Sequence, residues 1–285
     1  MPLTGKSITF IGAGSMAEPI WGGLIQQQTV KPEQIYIMNR SNAAHLAAMR
    51  DTYGVHAAFT PEEKESFIRQ ADIVILAMKP KDVRQAFGEF NGFLKPSQLL
   101  VSLVAGLSLN TLSLLVPQGM PVVRAMPNTP SSIGLGATGL CFSPEATESQ
   151  QNMALSLFRA IGEAYPISEE QMNILTGISG SGPAYAYYFM ESMIAAGIKG
   201  GLSPELAKEL TVQTVLGAAS MVKLTGEEPA ELRRKVTSPN GTTQAAIEEF
   251  QRRDLSGTVE AGIVRCVTRA AEIGEGLSQE VRQSL

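Results

Sequence analysis

Imidazole and thiol are scarce in this chain of 285 residues: His45 and His56 are its only histidines, Cys141 and Cys266 its only cysteines. Both histidines lie early, so whatever chemistry the later residues carry proceeds without imidazole. The two cysteines have neither metal-ligand spacing nor a disulfide framework. They read as buried thiols in a reducing compartment, and no metal site is expected. Basic runs are missing too: 23 Lys and Arg are scattered and the net charge is −4. That argues against nucleic acid or an anionic membrane surface as partner. No stretch approaches the ~20 apolar residues of a membrane span. The apolar run at Ile8 is broken by Gly12 and Gly14 and followed by Glu18, so it does not read as a signal peptide. A cytoplasmic location is expected.

What the chain does have is core material. Hydrophobic residues reach 44% against 18% charged, which fits a globular protein of one large or two ordinary domains. Its first part alternates short β-rich runs with helical stretches. Strands are expected at Ser7–Ile11, Gln34–Met38, Val55–Ala58, Ile73–Ala77, Leu99–Leu103 and Pro121–Ala125, with two more near Ala137–Phe142 and Ala164–Ile167. Unbroken apolar runs such as Ile73–Ala77 belong to a parallel sheet covered on both faces. Helices are expected over Met16–Gln28 and Asn42–Thr52.

After Ile167 the β signal stops. Met172–Leu175 reads as helix. Pro183–Ala196 is apolar nearly all round and is expected to be buried. Ser203-Pro204-Glu205 starts a helix, with Ser as cap and Pro in the first turn, and Gly226 ends it. Further helices are expected near Glu228–Val236, Thr242–Arg252 and Ser256–Ile273. The fold class is therefore α/β with a doubly wound, mainly parallel sheet over residues 1–166, followed by an all-α domain over 167–285.

Gly12-Ala13-Gly14-Ser15-Met16-Ala17 follows the first strand and opens the first helix. This is a dinucleotide fingerprint with Ala at the third glycine. Gly12 permits the tight turn, and Gly14 lets the backbone approach a pyrophosphate held by free N–H groups at the helix start. The second strand ends in Asn39-Arg40-Ser41, where NAD-preferring sites place Asp or Glu. An arginine fork suits a 2′-phosphate that a carboxylate would repel. Charge-assisted hydrogen bonds contribute roughly 1.5–3 kcal/mol each, so two would shift the preference roughly tenfold or more. NADPH is the expected cofactor, with NADH as the alternative. Ala77-Met78-Lys79-Pro80 follows the fourth strand, at the end where ligands lie in open parallel sheets. Lys79 reads equally well as an ordinary exposed lysine.

Three later segments resemble one family, the pyrroline-5-carboxylate reductases: Arg124-Ala125-Met126-Pro127-Asn128-Thr129-Pro130, Thr176–Tyr185 (TGISGSGPAY), and Val236-Thr237-Ser238-Pro239-Asn240-Gly241-Thr242-Thr243 leading into Ala246–Phe250. With Gly12–Ala17 and Met78-Lys79-Pro80 the resemblance runs from end to end. It implies a Rossmann-like domain and a helical domain that forms an intertwined homodimer, open to further assembly. It also implies reduction by NAD(P)H of the cyclic imine L-pyrroline-5-carboxylate to L-proline, the last step of proline synthesis. Ala105 and Asn128 join the cofactor-binding set on the same ground.

Physical chemistry makes sense of the substrate segment. A carboxylate suits a helix start with free N–H groups, and Ser238, Asn240, Gly241, Thr242 and Thr243 supply such a start. The resemblance places the Thr243 hydroxyl near the imine nitrogen. A threonine is too weak an acid to drive protonation, but a substrate arriving as the iminium needs none, and positioning then carries the rate. Read without the resemblance, Thr242 and Thr243 are simple helix caps. The resemblance implies a carboxylate near the substrate's ring nitrogen, a role that falls to Glu169, although it and Glu170 also read as acids at a helix start. Two departures from the family pattern stand out. Asn240 replaces a frequent Gly, and Asn tolerates left-handed backbone. Thr60–Glu65 (TPEEKE) lacks an Asn often found near the adenine.

Other readings compete. Hydroxyacid dehydrogenases of this architecture use a lysine in the central helix, but Thr176–Ser192 has none; Tyr185, Tyr187 and Tyr188 there read as packing. A non-enzymatic binding protein could dispense with the phosphate cradle or the substrate loop, and both are intact here.

Overall fold

The computed structural model describes residues 2–283; the outer limits 1 and 285 of the two expected domains lie outside them. Eight strands form one sheet: β1 (Ile8–Ile11), β2 (Ile35–Met38), β3 (His56–Ala57), β4 (Ile73–Leu76), β5 (Leu99–Ser102), β6 (Val122–Met126), β7 (Gly136–Phe142) and β8 (Gly162–Pro166). Between them run α1 (Glu18–Gln26), α2 (Ala43–Tyr53), α3 (Pro61–Gln70), α4 (Val83–Phe90), α5 (Leu109–Leu115) and α6 (Glu148–Arg159). Then follow α7 (Met172–Leu175), α8 (Gly182–Lys199), α9 (Pro204–Thr225), α10 (Pro229–Lys235), α11 (Thr242–Arg252) and α12 (Leu255–Arg282). By internal contacts the chain forms two compact units, Met1–Ser181 with Cys266–Leu285, and Gly182–Arg265.

In the first unit the spatial order of strands is β3-β2-β1-β4-β5-β6-β7-β8. All pairings are parallel except β6 with β7. Alternate residues of one strand face opposite layers of helices. Ile73 and Ile75 of β4 enter one core with Phe10, Trp21 and Phe158, while Val74 and Leu76 enter the other with Val83, Phe87 and Leu112. This two-sided burial is why the strands carry continuous apolar runs. The chain moves outward from β1 to β2 and β3, then returns to β4 on the other side of β1. That reversal opens a crevice beyond the C-terminal ends of β1 and β4.

The structure adjusts several expectations. Helix α1 begins at Glu18 rather than Met16, because residues 15–17 form a turn. Helix α3 was not foreseen, although Thr60 and Glu63 form a capping box: Thr60 Oγ1 accepts from the Glu63 N–H, and Glu63 Oε2 accepts from the Thr60 N–H at 2.9 Å. Helix α12 runs nine residues past Ile273, to Arg282, because Leu277 and Val281 are buried in a core of the first unit. Cys141 is buried as expected, but Cys266 is only half-buried, with its Sγ 3.3 Å from Ser181 Oγ.

In the second unit, helix α8, whose apolar composition called for burial against a second subunit, leaves Tyr185, Tyr187, Tyr188 and Phe189 exposed in the single chain. It pairs with α9 where Gly197 lies close to Ala207 and Leu202, and Ala207 and Thr211 are the buried residues of α9. The α9 ends follow the sequence signals. Ser203 Oγ accepts from the Leu206 N–H at 3.2 Å, and Gly226 closes the helix in the left-handed conformation. No helix among the described residues is long and apolar enough to cross a membrane.

Candidate active site

The crevice at the end of β1 is built by the Gly12 turn. Its N–H donates to the Met38 carbonyl at 3.0 Å, tying the turn to β2, while the Ala77 N–H donates to the Ile11 carbonyl at 2.9 Å. Gly12 has φ +109°, and a Cβ there would stand 2.4 Å from the Ala77 carbonyl oxygen. Only glycine fits. Beside Gly14 the space is open: its Cβ direction meets nothing within 4 Å. The N–H groups of Gly14, Ser15 and Met16 have no partner among the described residues, whereas the Gly14 carbonyl accepts from Ala17 and Glu18 at 2.9 and 3.1 Å. Donors without partners, a helix dipole and room for a group make an anion cradle. His45 fixes it from α2, its Nε2 lying 2.7 Å from the Ala13 carbonyl. That oxygen can only accept, so Nε2 carries the proton.

A cavity of about 630 Å³ adjoins this turn, lined among others by Gly12, Asn39, Arg40, Ser41, Met78 and Asp82. Its size falls in the range of small-molecule and cofactor sites. The structure thus brings Gly12, Asn39–Ser41 and Met78 together. Their side chains are differently engaged. Asn39 accepts from the Asn42 N–H at 3.1 Å and donates to the Asn42 carbonyl at 2.8 Å, so it braces the loop. Arg40 reaches Asp82 Oδ1 at 3.0 Å and Gln85 Oε1 at 3.2 Å through one nitrogen. Lys79 is exposed and precedes a short 3₁₀ turn, Pro80–Asp82; Ala77 and Pro80 flank it, half-buried.

Ala105 is half-buried in the turn after β5. Asn128 is buried, and both ends of its carboxamide are used. Its Nδ2 donates to the Ser179 carbonyl and its Oδ1 accepts from the Ala137 N–H, each at 3.0 Å. It staples β7 to the π-helical turn Thr176–Gly180. Glu169 is engaged likewise: its Oε1 accepts from the Leu109 N–H at 2.7 Å and from Arg124 Nη1 at 3.3 Å. This caps α5 with a carboxylate and pairs the nearly buried Arg124. Burial, and then the Glu169 charge, push the neighbouring Cys141 thiol up to about 12, so Cys141 stays protonated at neutral pH. Arg124 lies within a quoted motif, but nothing in its spacing announces a partner 45 residues on.

In the second unit, Ser238–Thr243 forms a turn and a helix start. The Gly241 N–H donates to the Ser238 carbonyl at 3.0 Å, and the Asn240 N–H donates to Gln244 Oε1 at 2.8 Å. Asn240 has φ +58°, the left-handed conformation expected of this substitution. The helix cap is Gly241, and no side-chain oxygen caps α11. Thr242 and Thr243 are therefore not the caps that their position alone suggested. The half-buried Thr243 hydroxyl has no hydrogen-bond partner among the described residues. The first-turn N–H groups of α11 and a hydroxyl donor stand together at a helix start that no side chain caps, an arrangement able to take a carboxylate and one further acceptor.

Comparisons with known proteins agree in direction. A family model described as pyrroline-5-carboxylate reductase dimerisation matches residues 169–273, and one described as NADP oxidoreductase, coenzyme F420-dependent, matches 7–106. A pyrroline-5-carboxylate reductase of Pseudomonas aeruginosa is 41% identical over 273 residues, covering 95% of this chain and 98% of that one. Among solved structures, the pyrroline-5-carboxylate reductase of Coxiella burnetii aligns with TM-score 0.87 at 37% identity, over 94% of this chain and 98% of that one. A Plasmodium falciparum pyrroline carboxylate reductase with NADP bound aligns with TM-score 0.84 at 28% identity, over 95% and 98%.

Proposed function

Since the chain belongs to the pyrroline-5-carboxylate reductase family, we infer that it reduces L-1-pyrroline-5-carboxylate to L-proline with NAD(P)H, the last step of proline biosynthesis. The observation that carries this reading is the start of α11 at Thr242-Thr243, which no side chain caps and where backbone N–H groups and an unpartnered hydroxyl suit a small carboxylate beside a ring nitrogen. Bound NAD(P)H supplies the hydride that the imine carbon receives. Ser238, Asn240, Gly241 and Thr242 hold the substrate carboxylate through the loop and helix start. Thr243 donates a hydrogen bond at the ring nitrogen as that atom gains its lone pair. Glu169 keeps its expected place among the substrate-binding residues as part of this reading, and its bonds to Leu109 and Arg124 favour a positioning role.

Residues 1–166 serve the cofactor and 167–285 the substrate and dimerisation; the match of the dimerisation model from residue 169 supports that division. The cradle of Gly12, Ala13, Gly14, Ser15 and Met16 takes the pyrophosphate. Asn39, Arg40 and Ser41 take the adenosine ribose, with Arg40 at its 2′-phosphate. Ala77, Met78, Lys79 and Pro80, with Ala105 and Asn128, complete the cofactor set. Two cysteines without a disulfide support a reducing, cytoplasmic setting.

Oxidation of NADPH and NADH followed by absorbance with pyrroline-5-carboxylate tests this directly; a folded protein that oxidises neither overturns it. Arg40→Ala should raise the KM for NADPH roughly tenfold or more and spare NADH, since it removes charge-assisted bonds to the 2′-phosphate alone.

The second unit supports a homodimer as part of this reading. Exposed Tyr187, Tyr188 and Phe189 on α8, with Leu210, Leu216 and Leu224 on α9, are more apolar surface than a soluble monomer usually leaves to water. Sedimentation at micromolar concentration should show a dimer or larger species; a monomer there defeats the idea.

A further inference from the structure

We propose that Asp82 is a specificity-determining residue: by holding Arg40 it lowers the site's preference for NADPH over NADH. The inference rests on the reading that Arg40 receives the 2′-phosphate. Arg40 already has a carboxylate partner, Asp82 Oδ1, 3.0 Å from its Nη1, and the side-chain Oε1 of Gln85 lies 3.2 Å from the same atom. The two sides of the pair are unequal. Arg40 is a long side chain on a loop and is 61% exposed, whereas Asp82 is 28% exposed. The backbone of Asp82 is pinned, since its N–H donates to the Lys79 carbonyl at 2.9 Å and the next residue, Val83, is fully buried. The carboxylate is thus the fixed partner and the guanidinium the movable one.

The surrounding wall adds to the effect. Glu62, Glu65 and Glu89 line the same cavity as Arg40 and Asp82, and Lys64 is the other cation there. A 2′-phosphate enters a net negative wall and meets an arginine whose charge is already shared. A 2′-hydroxyl brings no charge and suffers neither penalty. Asp82 therefore weakens one cofactor selectively. Its partner lies 42 residues away in sequence, beyond the reach of any motif.

Asp82→Asn keeps the side chain's size and an oxygen that can accept from Arg40, and removes only the charge. Binding of NADPH and of NADH to the full-length protein, measured by fluorescence titration, should show the affinity ratio moving toward NADPH by roughly three- to fivefold, the scale of a partly exposed ion pair. The gain should vanish in the Arg40→Ala background. An unchanged ratio, or one moved toward NADH, overturns the proposal and makes Asp82 an orienting group instead. If Arg40→Ala alone leaves the ratio untouched, the reading of Arg40 fails, and this proposal fails with it, whatever Asp82→Asn does.

Discussion

Thr243→Ala should lower turnover with pyrroline-5-carboxylate by roughly 10- to 10³-fold, the range seen when one preorganised donor to a reacting centre is removed. The argument starts from what the hydroxyl is not doing. Gly241 occupies the cap position of α11, and no side chain caps the helix, so alanine at 243 removes no cap. Thr243 is half-buried and its hydroxyl has no partner among the described residues, so no internal hydrogen bond is lost. Alanine also favours a helix slightly over threonine. Stability should therefore hold, and the loss should fall on turnover more than on NADPH affinity. Thr243→Ser keeps the hydroxyl and should recover most of the rate. Near-normal turnover in folded Thr243→Ala would reject the role. A shared loss of thermal stability and rate would point to a structural one.

Sequence and structure agree most closely where the signal is local. Gly12 was legible because a single steep turn between strand and helix demands it, and the four residues Ile73–Leu76 because burial on both faces leaves no polar position. Asn240 was legible because so few side chains accept a positive φ. The Ser238–Thr243 loop owed its meaning to family resemblance; from local physics Thr242 and Thr243 were caps, and the structure gives the cap to Gly241. Contacts between distant segments left no trace in spacing. Arg40 meets Asp82 and Gln85, Arg124 meets Glu169, and Asn128 meets Ser179, each pair more than forty residues apart. These contacts decide how free an assigned side chain is. Helix α8 shows the converse limit: its apolar composition announced burial, yet Tyr187 and Tyr188 stay exposed in the single chain.

Gly12→Ala should abolish measurable dinucleotide binding and lower thermal stability as well, because two independent costs fall on one atom. The first is conformational: φ +109° lies outside the regions open to an L side chain, and such strain costs on the order of 1–3 kcal/mol. The second is steric: the new Cβ would lie 2.4 Å from the Ala77 carbonyl oxygen and 2.7 Å from its carbon. Those are backbone atoms at the end of β4, whose Ala77 N–H is bonded to the Ile11 carbonyl, so they cannot swing aside like a flexible side chain. Overpacking adds roughly 1–3 kcal/mol. Relief requires β1 and β4 to part at their C-terminal ends, which dismantles the turn that aims the Gly14, Ser15 and Met16 N–H groups. Together the costs approach a sizeable fraction of the roughly 5–15 kcal/mol that holds a typical domain. Gly14→Ala is the informative companion. Its Cβ meets open space and strains nothing, so it should fold normally and lose affinity only because it occupies the pyrophosphate's room. NADPH titration with a thermal melt of each variant separates the two: Gly12→Ala should fail in both, Gly14→Ala in binding alone. Normal binding by Gly14→Ala would mean that the pyrophosphate does not lie against this turn.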